Sequence, residues 1–155
     1  MPVAVITGAA SGIGAGLARE AARRGMQVVL ADRDAAALEA VAEEIGTNAL
    51  PVPSDVTDIG AVEELAEQAY RRFGAVDLLF NNAGVMTTGL SWEIPADKWE
   101  TSWKVNVDGI LNGLRAFVPR LIAADRQARI VNTASVGGFL PSPLMAPYSA
   151  TKFAV

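Results

Sequence analysis

The sequence predicts an α/β fold, a parallel sheet covered by helices on both faces. Two observations carry this prediction. Short β-branched runs alternate with stretches whose apolar residues recur at helical spacing. The strand candidates are also almost continuously apolar, as strands buried on both sides must be.

Val3–Thr7 reads as the first buried strand. A helix follows over residues 11–24 and stops at Gly25. Residues 27–31 read as the second strand. Leu38, Val41, Ala42 and Ile45 then repeat at i, i+3, i+4 and i+7, and Gly46 ends that helix. Residues 49–52 form a weaker third strand. Asp58 is placed to cap the next helix, whose apolar face carries Val62, Leu65, Ala66, Ala69 and Phe73 before Gly74 terminates it. Residues 76–80 make a fourth strand. Trp103, Val107, Ile110, Leu114, Phe117 and Leu121 mark one face of a single long helix, and residues 130–134 form the fifth strand.

Composition narrows the function classes. The 155 residues suit one domain, which at this size buries roughly 70% of its unfolded surface. At 51% hydrophobic, the chain is poor in the polar excess that disorder needs. Its net charge is −4 with signs interspersed, so nucleic acid is not an expected partner. It holds neither cysteine nor histidine, which removes disulfides and the usual zinc ligands; no metal is expected. The N-terminus lacks the pattern of a signal peptide, and no apolar run is long enough for a bilayer. No membrane partner is expected, and the default location is cytoplasmic.

A glycine turn, Thr7-Gly8-Ala9-Ala10-Ser11-Gly12-Ile13-Gly14, separates the first strand from the first helix. Glycines let backbone approach a ligand closely, and a helix N-terminus offers free N–H groups and partial positive charge to a pyrophosphate. The spacing G-x-x-x-G-x-G is neither the common dinucleotide fingerprint nor a Walker loop. A turn built only for packing is the plainer alternative. Asp32, at the end of the second strand, stands near the offset of about 20 residues at which an acid meets a ribose. It also suits a helix cap.

Near the C-terminus, Tyr148 and Lys152 stand at i and i+4, on one face if helical. An ammonium beside a phenol favours the phenolate and lowers its pKa toward working pH, which suits a general acid–base group. Ser135, after the fifth strand, is placed to hydrogen-bond a substrate carbonyl where ligands sit in parallel sheets.

These blocks together resemble the short-chain dehydrogenase/reductase family, in its single-domain branch. The matching residues are the turn Thr7 to Gly14, Asn81-Asn82-Ala83-Gly84, Asn106 in Val105-Asn106-Val107, Ser135, and Tyr148-x-x-x-Lys152. The resemblance implies a Rossmann-like doubly wound parallel sheet of order 3-2-1-4-5, normally extended by two further strands absent here. It implies that residues 1–155 are one dinucleotide-binding and catalytic domain, incomplete at its C-terminus.

The resemblance implies an oxidoreductase moving a hydride between a nicotinamide cofactor and a secondary alcohol or ketone. Tyr148 would exchange the proton. Lys152 would bind the nicotinamide ribose, Ser135 would orient the substrate oxygen, and Asn106 would hold a water for proton relay. Gly8, Ser11, Gly12, Ile13 and Gly14 would cradle the cofactor. Asp55 and Val56 would meet the adenine, and Asn82, Ala83 and Gly84 would line the adenosine side and brace the sheet. Asp32 and the absence of a basic residue at Ser11 favour NAD, while Arg33 keeps NADP open. The substrate would be a small molecule, with apolar Gly137 to Pro141, Leu144, Met145, Val85, Met86 and Trp92 around it. The complete protein would be a homodimer or homotetramer. A dinucleotide-binding module without turnover is the alternative function.

Overall fold

The computed structural model describes residues 1–155. Its sheet has five parallel strands in the order β3-β2-β1-β4-β5. They are β1 Val3–Thr7, β2 Gln27–Asp32, β3 Ala49–Pro53, β4 Leu78–Asn81 and β5 Arg129–Asn132. The helices are α1 Gly12–Arg23, α2 Ala35–Ile45, α3 Ile59–Phe73, α4 Ala96–Trp103, α5 Gly109–Ala123 and α6 Ala146–Ala154. The doubly wound, Rossmann-like order is the one the resemblance implies.

The two-residue period of the strands divides the core. Ala4, Ile6, Val28 and Leu30 point to the side covered by Ala15, Ala18 and Ala21 of α1 and Leu38, Val41 and Ala42 of α2. Val3, Val5, Val29 and Leu79 point to the other side, under Val62, Leu65, Ala66 and Ala69 of α3 and Phe117 and Leu121 of α5. Asp34 caps α2 by accepting the Ala37 N–H at 3.0 Å, and Asp58 caps α3 through Gly60 N–H at 2.9 Å. Gly74, at φ 78°, closes α3 in the left-handed conformation that glycine adopts without strain.

Two expectations are corrected. The single long helix is instead α4, a π-helical segment Lys104–Asp108, and α5. Each residue of an α-helix turns the face by about 100°, so the wider π turn shifts the apolar stripe across it. Trp103 consequently faces outward at 47% exposure, while Ile110, Phe117 and Leu121 stay buried. The fifth strand ends at Asn132 rather than 134, which leaves Ser135 beyond the sheet. β5 is an edge, and all four of its residues are exposed. No helix is long and apolar enough to cross a membrane.

α5 lies unusually close to the sheet at Gly113. A Cβ there would stand 2.2 Å from Asn81 Oδ1, while Asn81 Nδ2 donates to Asn132 Oδ1 at 3.0 Å across β4 and β5. Gly113→Ala should therefore destabilise the protein by about 1–3 kcal/mol through overpacking. Urea denaturation checks this; an unchanged midpoint would mean that α5 can retreat freely.

Candidate active site

Parallel strands end on one side, so the loops after β1, β2, β4 and β5 open together. With α6 they enclose a cleft of about 880 Å³. Gly8, Ser11, Gly12, Ile13, Gly14, Asp32, Arg33, Asp55, Val56, Asn82, Ala83, Gly84, Ser135, Tyr148 and Lys152 all line it. Asn106, grouped with the catalytic residues on sequence, does not.

At one end of the cleft lies the glycine turn. Gly8 and Gly12 have φ of 67° and 51°. A Cβ on Gly14 would lie 2.0 Å from the Gly8 carbonyl oxygen, so no side chain fits there. Ser11 makes no side-chain cap, and the first helical bond runs from Ala15 N–H to the Ser11 carbonyl at 3.1 Å. The N–H groups of the first turn of α1 are therefore open to the cleft, with the positive end of the helix dipole behind them. Asp32 is held by two backbone donors: Ala10 N–H to Oδ2 and Asp34 N–H to Oδ1, each at 3.1 Å. The geometry and charge of this end fit a dinucleotide: a tight cradle for a pyrophosphate, then a fixed carboxylate for ribose hydroxyls.

Asp55, Val56 and Asn82, expected on the adenosine side, also hold contacts within the chain. Asp55 Oδ1 is engaged locally, accepting the Thr57 N–H at 2.9 Å and its hydroxyl at 2.8 Å. Val56 is nearly buried, and its carbonyl accepts Asn112 Nδ2 at 2.9 Å. The Asn82 amide is spent on the sheet. Its Nδ2 donates to the Thr7 carbonyl at 3.0 Å, and its Oδ1 accepts the Thr133 hydroxyl at 3.2 Å.

At the other end, α6 presents Tyr148 and Lys152. The Lys152 Nζ lies 5.9 Å from the Tyr148 ring centroid and donates to the Thr133 carbonyl at 2.6 Å. No carboxylate pairs with Lys152, and burial lowers its pKa from the usual lysine value. Ser135 sits three residues past β5, at the start of the 3₁₀ turn Val136–Gly138. Its Oγ accepts the Gly137 N–H at 3.1 Å, so its own proton remains free to donate.

Asn106 stands fully buried behind the cleft wall, inside the π segment. Its Oδ1 accepts the Val85 N–H at 2.8 Å, and its Nδ2 donates to the Val85 carbonyl and the Thr151 hydroxyl, each at 2.9 Å. The Thr151 hydroxyl in turn donates to the Tyr148 carbonyl at 2.8 Å. Asn106 thus ties the loop after β4 to α6 and has no N–H left for a ligand.

Three threonines, Thr7, Thr133 and Thr151, were not among the expected site residues. Thr7 enters the sequence reading only as the end of the first strand and the first residue of the glycine turn, and Thr133 and Thr151 are marked only by their positions, just past β5 and one residue before Lys152.

The profile of the short chain dehydrogenase family matches residues 2–155. The chain belongs to the short-chain dehydrogenase/reductase family. It is 42% identical over 156 residues to the 1-deoxy-11-beta-hydroxypentalenate dehydrogenase of Streptomyces arenae, covering 97% of this chain and 55% of that protein. Its structure is similar to that of a short-chain dehydrogenase/reductase from Burkholderia phymatum in complex with NAD, at TM-score 0.96 and 44% identity, covering 99% of this chain and 56% of the other. An alcohol dehydrogenase from the archaeon Thermococcus sibiricus complexed with 5-hydroxy-NADP is similar at TM-score 0.93 and 32% identity, covering 99% and 66%. The chain spans little more than half the length of the first relative named.

In this member of the family the buried Thr7 hydroxyl, behind the cleft at the end of β1, makes three hydrogen bonds. It accepts the N–H groups of Asn82 at 3.0 Å and Ala83 at 3.1 Å and donates to the Phe80 carbonyl at 3.3 Å. Thr7→Val keeps the shape and strands two donors, which should cost about 2 kcal/mol, while Thr7→Ser should keep most of the stability. Chemical denaturation of both variants checks this, and equal stability would contradict it.

Proposed function

We propose that the complete protein is a nicotinamide-dependent oxidoreductase that interconverts a secondary alcohol and its ketone, with Tyr148 as the acid–base group. The observation that supports this best is the far end of the cleft. There the Tyr148 ring, a Ser135 hydroxyl with its proton free, and a buried Lys152 ammonium without a counterion line one wall.

A bound nicotinamide supplies the hydride chemistry. The residues of the chain do the rest. Ser135 donates its proton to the substrate oxygen and orients it. Tyr148 gives its phenolic proton to that oxygen in reduction and takes it in oxidation. The Lys152 ammonium spends one N–H on Thr133, and its other two are available for ribose hydroxyls. Its charge, beside the Tyr148 ring, stabilises the negative charge that develops on the phenolic oxygen as the proton leaves. A water that relays protons to Lys152 would sit on an oxygen of Asn106, whose side-chain donors are already in use.

Asp32, locked by two N–H groups, supports NAD over NADP: a carboxylate accepts from two ribose hydroxyls and repels a phosphate. Arg33, exposed beside it, is the residue that would favour NADP. Of the apolar residues expected around the substrate, Val85 and Met86 line the cleft, and they favour an apolar substrate. Exposed Trp103, Leu111 and Ile122 on the α4–α5 side favour assembly as a homodimer or homotetramer.

In the complete protein, Tyr148→Phe should lower turnover about a thousandfold while leaving NAD affinity unchanged. Steady-state kinetics with calorimetry checks this, and substantial activity at any pH would remove Tyr148 from its role. The wild-type kcat/KM should be higher with NAD than with NADP, and Asp32→Ala should narrow the gap. Equal or better efficiency with NADP would show that Arg33 outweighs Asp32.

A further inference from the structure

Gly137 and Gly138 were expected to belong to the substrate wall, and neither lines the cleft. They lie instead under α6. A Cβ on Gly138 would stand 2.4 Å from the Lys152 carbonyl oxygen, 3.0 Å from its carbonyl carbon and 3.6 Å from Phe153 N. All three are backbone atoms, and none can rotate out of the way. A Cβ on Gly137 would stand 3.3 Å from Tyr148 Cε1 and 3.5 Å from Ser135 Oγ.

We propose that Gly138 is a positioning residue for the reaction: its missing side chain sets the depth at which α6 holds Tyr148 and Lys152 over the cleft. The proposal rests on the oxidoreductase reading and adds a residue to it. Two consecutive glycines touch two α6 residues four apart, which share one helical face. The 3₁₀ turn that carries the glycines is capped by Ser135 Oγ through Gly137 N–H. One short turn therefore sets Ser135, Tyr148 and Lys152 relative to one another. Gly138 touches none of the reacting atoms; it acts through the helix backbone.

The sequence gives the turn no other means of this approach. Alanine at 138 would place a methyl group against a carbonyl oxygen, and α6 would have to withdraw by about 1 Å to restore van der Waals distance. A displacement of that size at a reacting group costs on the order of 100-fold in rate. The glycine turn and Asp32 lie at the opposite end of the cleft, so the adenosine end of the cofactor site should not register the change.

The test uses the complete protein and a panel of cyclic and acyclic secondary alcohols, from cyclohexanol to borneol. In Gly138→Ala, kcat on the best substrate should fall about 100-fold. Affinity for ADP-ribose, which reads only the adenosine end, should be unchanged. Gly137→Ala should lose less, because the Tyr148 ring edge can tilt away. Gly16→Ala adds its methyl to open space and should keep wild-type kcat. Retained kcat in Gly138→Ala would overturn the proposal. So would a joint loss of kcat and ADP-ribose binding, which would make the turn a support for the whole fold. A wild-type protein that turns over no member of the panel with NAD or NADP would overturn the oxidoreductase reading itself, and the role of Gly138 with it.

Discussion

The Thr7 hydroxyl sits where β1 ends and accepts two backbone N–H groups from the chain leaving β4. Through Asn82 the same junction reaches Thr133, just past β5. Three strand ends are thereby held at one level, and each carries part of the cleft onward: the glycine turn after β1, Ala83 and Gly84 after β4, Ser135 after β5. Gly8 must be glycine partly for this reason, since a Cβ there would lie 2.8 Å from Ala83 Cα. If the junction slipped, the two ends of the cleft would no longer face one ligand.

The electrostatics of the cleft follow from what its charges lack. The N-terminus of α1 has no side-chain cap, so its dipole acts on the cleft rather than on its own chain. Lys152 has no carboxylate partner and is nearly buried, so its charge is costly and acts strongly on whatever lies beside it. Its lowered pKa means that burial of the ammonium opposes folding below that pKa. The penalty fades as pH rises through the folded value toward the unfolded one. Outside the cleft, exposed ion pairs such as Arg19–Glu44 and Arg24–Glu20 contribute little to stability.

The features legible in the sequence are those governed by local rules. Strand alternation, the Asp58 cap and the Gly74 stop need only neighbouring residues, and Gly14 and the Tyr148–Lys152 pair depend on backbone sterics and helical spacing. The break in the long helix was not legible. The π segment lies where Asn106 bonds Val85 and Thr151, residues 21 and 45 positions away, and periodicity reads no such partner. The end of β5 was misread because Thr133 and Ala134 continue the strand's composition while Thr133 is turned to serve Lys152. Gly137 and Gly138 read as pocket wall because a glycine's use depends on what lies above it, which here is α6. Asn82 lines the cleft, and its side-chain amide braces the strand ends.

The most direct measurement is a crystal structure of the complete protein with NAD bound. The pyrophosphate should lie on the N–H groups at the start of α1, the adenosine ribose on Asp32, and the nicotinamide end beside Tyr148 and Lys152. A dinucleotide seated anywhere else, or a cleft that stays empty at saturating NAD, would contradict this placement.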